Sequence, residues 1–155
     1  MSIRDWLAGQ SYQTQYDFGM NVLNKFGVIY RMKKEQWSKS NILNQYIKSG
    51  DIMYKATLEG DYKTNNKESK IITQVFKYLE ENLEFATDTL PLLFDNENVV
   101  TRTKAAAHCL ALRIHINKAE KVLEDAANDD KNEIFGFNAQ MTLKVWHEQG
   151  FLKVY

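Results

Sequence analysis

Apolar residues at Ile72, Phe76, Leu79, Leu83, Ala86, Leu90 and Leu93 recur at alternating spacings of four and three, and this stripe constrains the chain more than any other feature. Such an alternation puts every member on one side of an α-helix and scatters them over both faces of a strand. The segment from about Lys67 to Leu93 therefore reads as helix with one side to bury. Pro91, the single proline, lacks the amide proton that a continuing helix needs and disfavours helix at Leu90. A kink or break is expected between Asn82 and Pro91, dividing the stripe between two helices. Asn65, with Glu68 three residues on, is the expected capping pair at the start.

The same periodicity organises the rest of the C-terminal half. After a turn at Asp95, Asn96 and Asn98, residues Val99 to Ile114 read as a helix with Val99, Thr103, Ala106, Ala107, Leu110, Ala111 and Ile114 on one broad face. Ala105, Cys109 and Leu112 extend that face most of the way round, so this helix is expected at the centre, closely approached by its neighbours. Asn117 and Glu120 are the expected cap of the next helix, which buries Ala119, Val122, Leu123 and Ala126 and ends in the polar run Asn128 to Asn132. The last helix is expected from Phe137 or Asn138 to Gln149, packing Phe135, Ala139, Leu143 and Trp146, with Gly150 as a left-handed cap. Upstream, Ser38 or Ser40 caps a long helix that buries the line Leu43, Ile47, Gly50, Tyr54 and Leu58 and stops at Gly60. Residues 1–37 hold seven aromatics, and Tyr12, Tyr16, Met20, Leu23, Phe26 and Tyr30 keep helical spacing, although Gly27 to Met32 suits an extended piece equally. The chain of 155 residues thus reads as one all-α domain, with an aromatic and basic N-terminal arm (1–37) and helical hairpins (38–155).

Two hairpins of about 35 residues each, 83–94 with 99–114 and 118–127 with 137–149, have the period of a two-helix repeat. The stretch LPLLFDNENVVTRTKAAAHCLAL (90–112) resembles a HEAT-type repeat: Leu92 and Leu93 close one helix, Asp95 opens the turn, and Ala106 and Leu110 pack inward. Together with GDYKTNNK (60–67), KAEKVLEDAA (118–127) and FNAQMTLKVWHEQG (137–150), it also resembles the bacterial family of domains of unknown function numbered two thousand and nineteen, over about residues 40–152. That resemblance implies a HEAT/ARM-like right-handed stack of antiparallel helical hairpins, here with an N-terminal helical extension, and it implies no catalytic residues.

Few residues offer chemistry. Adjacent His108 and Cys109 diverge by about 100° on a helix and cannot act as base and nucleophile to one another. Cys109 reads as a small buried residue, His108 as a partly exposed one, and His147 as a cation suited to a helix C-terminus. No metal-ligand spacing and no glycine-rich phosphate loop occurs. The carboxylates of Glu80, Glu81 and Glu84, and of Glu124, Asp125, Asp129 and Asp130, fall on solvent faces. The expectation is a non-enzymatic domain with no cofactor.

Charge is the remaining signal. Twenty bases balance twenty acids. Residues 21–48 carry six bases against Glu35 alone, a balance of +5, whereas residues 80–130 carry eleven acids against five bases, a balance of −6. An acidic face made of Glu80, Glu84, Glu120, Glu124, Asp125 and Asp129 suits a basic protein partner such as a bacterial toxin domain, which makes an immunity protein the most concrete function expected. The alternative is nucleic-acid association through Arg31, Lys33 and Lys34 beside Phe26, Tyr30 and Trp37. An aromatic arm also suits a homodimer. A lone cysteine and the lack of a leader-like or membrane-spanning apolar run lead to a cytoplasmic expectation.

Overall fold

Ser38 Oγ accepts a hydrogen bond from the Asn41 amide at 3.2 Å, and from this cap rises helix α1 (Lys39–Glu59). The computed structural model describes residues 37–155. The expected arm up to residue 36, with Arg31, Lys33, Lys34 and the Tyr12 to Tyr30 spacing, lies outside the described residues. Within them all regular structure is helical, and Ile42–Tyr155 forms one compact unit.

Helix α1 ends where expected, at Gly60 in the left-handed region with φ 71°. Of its expected buried line only Gly50 is fully buried. Ile42, Tyr46, Ser49, Gly50 and Ala56 face inward, while Leu58 is 61% exposed. A polar residue on the inner face, Ser49, hid the register from a reading based on apolar side chains. Ser49 Oγ donates to Glu68 Oε2 at 2.8 Å, which satisfies both groups in the interior.

Helix α2 (Tyr62–Glu81) starts earlier than the Asn65 and Glu68 pair proposes, because Asp61 is the cap. Its carboxylate accepts from the Thr64 amide at 3.1 Å and from Thr64 Oγ1 at 2.6 Å, which holds its pKa below the ordinary value. Asn65 lies inside the first turn and instead donates Nδ2 to Thr57 Oγ1 at 3.0 Å. The break falls at Asn82 (φ −134°, ψ 64°), followed by α3 (Leu83–Thr89) and a 3-10 turn (Leu90–Leu93) that accommodates Pro91 in its first residues. The freed carbonyl of Tyr78 accepts from Asn82 Nδ2 at 2.8 Å. Leu83 leaves the stripe: as the first residue after the break it points outward, 48% exposed, while Ile72, Phe76, Leu79, Ala86, Leu90 and Leu93 are buried.

Helix α4 (Val99–Leu112) is central. Its cap Asn98 accepts from the Val100 amide at 2.8 Å and donates to Asp51 of α1 at 2.9 Å, while Arg102 Nη1 binds the carbonyls of Asn96 and Glu97. Ala105 and Ala106 are completely buried, which lets α4 lie against the Leu90–Leu93 turn, α5 (Ile116–Ala127) and α6 (Glu133–Gln149). The segments expected to form each hairpin do contact one another. Helix α4 stops two residues before Ile114, because Arg113 (φ 59°) and His115 (φ 47°) adopt left-handed conformations. Each such residue costs about 1–3 kcal/mol unless its surroundings hold it. Arg113 Nη2 donates to the Gly150 carbonyl and its guanidinium lies 5.6 Å from the Trp146 ring centre, while His115 Nε2 binds the Thr87 carbonyl at 2.9 Å. His115 thus starts α5, and Asn117 with Glu120 does not cap it. Helix α6 begins at Glu133, a turn before the expected start, and Gly150 closes it with φ 75° as expected. Its inner face is Phe135, Gly136, Ala139, Leu143 and Trp146. No described helix is long and apolar enough to cross a membrane.

Candidate functional site

Five residues of α4, at positions 100, 103, 104, 107 and 108, occupy successive turns of one side of that helix and line two cavities that share Lys104, Ala107 and Thr142. The first, about 280 Å³, is closed by Met53 and Thr57 of α1, Asn65 of α2, and Phe135 and Asn138 of α6. The second, about 350 Å³, continues past Met141 and Val145 of α6 to the C-terminal residues Leu152 to Val154. The C-terminal strap is held at its end by Tyr155, whose hydroxyl donates to Glu80 Oε1 and whose ring meets Phe76 edge-on and lies under the Lys77 ammonium.

Lys104 stands where the cavities meet. It is partly buried, and its ammonium has neither an ion pair nor a hydrogen bond with any described side chain. Burial lowers its pKa from the ordinary lysine value, and no carboxylate among the described residues opposes the effect. Asn65 of α2 also lines the first cavity. Its Nδ2 is engaged by Thr57, but its Oδ1 is buried without a partner. The hydroxyls of Thr103 and Thr142 donate to carbonyls of their own helices, leaving only acceptor capacity toward the cavities.

Behind this groove lies His108, which is buried and not partly exposed as its sequence position implies. Its Nδ1 is 2.5 Å from Tyr46 Oη, and its ring packs against Phe76 at 4.8 Å between centres. Burial, reinforced by the charge of Lys104, pushes the His108 pKa well below its ordinary value, so the ring is neutral. Burial likewise pushes Tyr46 well above its ordinary value, with a smaller push from Cys109, and Cys109 itself up to about 12. These groups keep their protons and serve the interior. Among the described residues the partner of His108 is a tyrosine hydroxyl and not a carboxylate, and the Cys109 thiol is held in its protonated, unreactive form.

The acids expected to form a binding face prove heterogeneous. Glu120 is half-buried and accepts from Trp146 Nε1 at 3.1 Å and from His147 at 3.4 Å, tying α5 to α6. Asp125 pairs with Lys121 at 2.6 Å on the same helix. Asp129 caps the 3-10 turn Asp130–Asn132 through the Lys131 amide and Asn132 Nδ2, which lowers its pKa. Glu80 receives the Tyr155 hydroxyl. Glu84 and Glu124 are exposed. The six therefore do not form one set of free carboxylates, and no group of three metal-ligating side chains is present among the described residues.

Another surface was not foreseen. Ile134, Phe137, Met141 and Val145 of α6 are 48%, 59%, 39% and 38% exposed, at spacings of three, four and four. At about 100° per residue they lie nearly opposite the buried stripe, so α6 is apolar on two sides. The spacing was present in the sequence, but one apolar face sufficed to explain the helix. Lys104, a charge inside the most apolar helix, was the other visible signal that went unread. Comparison of the chain with family models, curated proteins and solved structures returns no match.

Proposed function

We propose that this chain is a non-enzymatic protein-binding domain, a HEAT-like stack of helical hairpins that docks a partner through the outer face of α6. The observation that carries the reading is the second apolar stripe on that helix. A surface helix needs one apolar side to join a core, and a further exposed row of Ile, Phe, Met and Val is costly to leave in water unless something covers it. Asp130 and Glu133 are exposed beside the N-terminal end of the stripe, and Glu124 is exposed on α5, which packs on α6. An apolar row with an acidic end suits a partner with an apolar patch bordered by basic residues, the form expected of a nuclease-like toxin domain, and the immunity role is the specific version of the proposal.

The test is calorimetry on a purified pair: this chain and a basic protein encoded beside it in its native genome. Binding should weaken about tenfold or more with Phe137→Asp, a central anchor, and should weaken with Glu124→Lys and with rising salt. Glu120 and Asp129 are unsuitable for charge reversal because they bond neighbouring elements and turns, and Asp125 because it is already paired with Lys121. Undiminished binding by Phe137→Asp, with unchanged circular dichroism, overturns the assignment of α6 as the docking face.

A further inference from the structure

The outer stripe of α6 is close to symmetrical about a midpoint near Ala139: Ile134 and Val145 flank it at nearly equal distances along the helix, and so do Phe137 and Met141. We propose that a second copy of this chain covers the stripe, the two α6 helices packing antiparallel about a two-fold axis near Ala139. The inference rests on the reading of this face as a docking face, and it names what occupies the face when no other partner is bound.

An antiparallel pair of identical helices sets each residue against one equally far beyond the midpoint on the second copy, and the two-fold repeats every contact. Phe137 then meets Met141 of the second copy, a favourable aromatic–thioether contact, and Ile134 meets Val145. All four exposed apolar side chains gain apolar neighbours. Charge fixes the direction. Glu133 and Lys144 are both exposed and, at about 100° per residue, stand on the same flank of the stripe at its two ends. Antiparallel packing brings like flanks together, so Glu133 of each copy faces Lys144 of the other, whereas parallel packing sets Glu133 on Glu133 and Lys144 on Lys144. Lys144 has one contact to exchange, an exposed pair with Glu148 at 3.9 Å. The residues beside the axis that meet their own copies, Asn138 and Gln140, carry no charge. Glu148 falls against the turn of the second copy where Asp130 and Lys131 cancel one another. The helix dipoles favour the same antiparallel order. Area sets the strength. The four side chains leave about 350 Å² in water on each copy, so a pair of such helices with their flanks reaches only the low end of stable interfaces, about 1,200 Å² in total. The dimer is therefore reversible, and a heterologous partner with a stronger anchor displaces it.

Sedimentation equilibrium of the full chain tests this. The expected mass rises from one chain toward two as the concentration passes through about 10–500 μM. Phe137→Asp, which puts two carboxylates at the centre of the pair, should weaken association about tenfold or more with unchanged circular dichroism. Glu133→Lys and Lys144→Glu should each weaken it about fivefold, by setting like charges together. The double variant Glu133→Lys/Lys144→Glu restores opposite pairs only in the antiparallel order, and should associate as the wild type does. The proposal is overturned if the chain stays monomeric throughout, or if the double variant remains as weak as the single ones. It is equally overturned if Phe137→Asp associates as tightly as wild type, which would assign the contact to another surface such as residues 1–36. The charge variants lie on the exposed flank and decide the matter even where Phe137→Asp fails to fold. A monomeric chain that loses a heterologous partner on Phe137→Asp would remove the self-pairing and leave the docking face standing.

Discussion

Tyr46 Oη and His108 Nδ1 meet at 2.5 Å in the interior, linking α1 to α4 across 62 residues of sequence. Both side chains are sealed from water, and Thr101 Oγ1 adds a second link by reaching the Tyr46 carbonyl at 3.4 Å. Tyr46→Phe leaves the imidazole nitrogen buried without a partner and should cost about 1–3 kcal/mol in denaturant unfolding. The double variant Tyr46→Phe/His108→Leu removes both polar groups and should cost less than the two single changes added together. Strict additivity would show that the hydrogen bond contributes nothing.

The neutral His108 predicts an acid dependence. In the unfolded chain this group takes up a proton near its ordinary pKa of 6.5, whereas in the folded protein it does so only at much lower pH. The unfolded state therefore binds more protons below about pH 6.5, and stability falls as pH falls, by up to about 1.4 kcal/mol per pH unit from this residue. Urea midpoints measured from pH 7 to pH 5 should decline for the wild type and decline less for Tyr46→Phe/His108→Leu. An equal slope in the two proteins would assign the acid sensitivity to other groups.

Cys109 predicts the opposite limb. A thiol held neutral to about 12 in the folded state, against an ordinary value of 9.0, favours folding below pH 9 and withdraws that stability as pH rises beyond it. The thiolate is also the reactive form, so Cys109 should resist iodoacetamide at pH 8 and react readily after unfolding in guanidinium. Rapid alkylation of the native protein would show that the α4 core opens locally.

These buried groups mark where the sequence was opaque. The 4-3 stripe from Ile72 to Leu93, the alanine-rich centre of α4 and the inner face of α6 were legible, because large or repeated apolar side chains at helical spacing have few other uses. The inner line of α1 was not. It relies on Ser49, which is tolerable only opposite Glu68, and it runs one position before the expected Leu43 and Ile47, through Ile42 and Tyr46. Caps depended on neighbours in the same way: Asp61 displaced Asn65 because Thr64 was placed to bond it twice. For the groove, Lys104 was visible as a charge in an apolar helix, but Asn65 belongs to another helix 39 positions earlier, and only the fold brings the two to one cavity.

Glu120 predicts a stability effect where the charge pattern alone suggested a binding role. Its carboxylate receives Trp146 Nε1 and His147 Nε2, two bonds that join α5 to α6 beside the Arg113 and Trp146 contact. Glu120→Lys should destabilise the fold by about 1–3 kcal/mol, with a change in tryptophan fluorescence of the native state, because a buried indole donor loses its acceptor and faces a cation. Glu124→Lys, one turn on and exposed, should stay within about 0.5 kcal/mol of wild type. Equal behaviour of the two reversals in thermal melts would count against the Glu120 bridge.

Gly50 and Thr101 mark the closest approach of α1 to α4. A Cβ on Gly50 would lie 1.9 Å from Thr101 Oγ1, 3.1 Å from its Cβ and 3.2 Å from its backbone nitrogen. Helix propensity alone favours alanine over glycine inside α1 by about 1 kcal/mol, so the packing clash must exceed that gain for Gly50→Ala to destabilise. It should, since Oγ1 cannot rotate clear without giving up its bond to the Tyr46 carbonyl, and overpacking of this kind costs about 1–3 kcal/mol. Thr101→Ala removes the atom at 1.9 Å and leaves the 3.1 Å and 3.2 Å contacts, which a small shift can relieve. The pair Gly50→Ala/Thr101→Ala should therefore be more stable than Gly50→Ala alone, whereas Thr101→Ala by itself should be less stable than wild type. Thermal melts of the four proteins test this directly: the absence of any rescue in the double variant would mean that the α1 and α4 backbones, and not the threonine hydroxyl, set the limit on their approach.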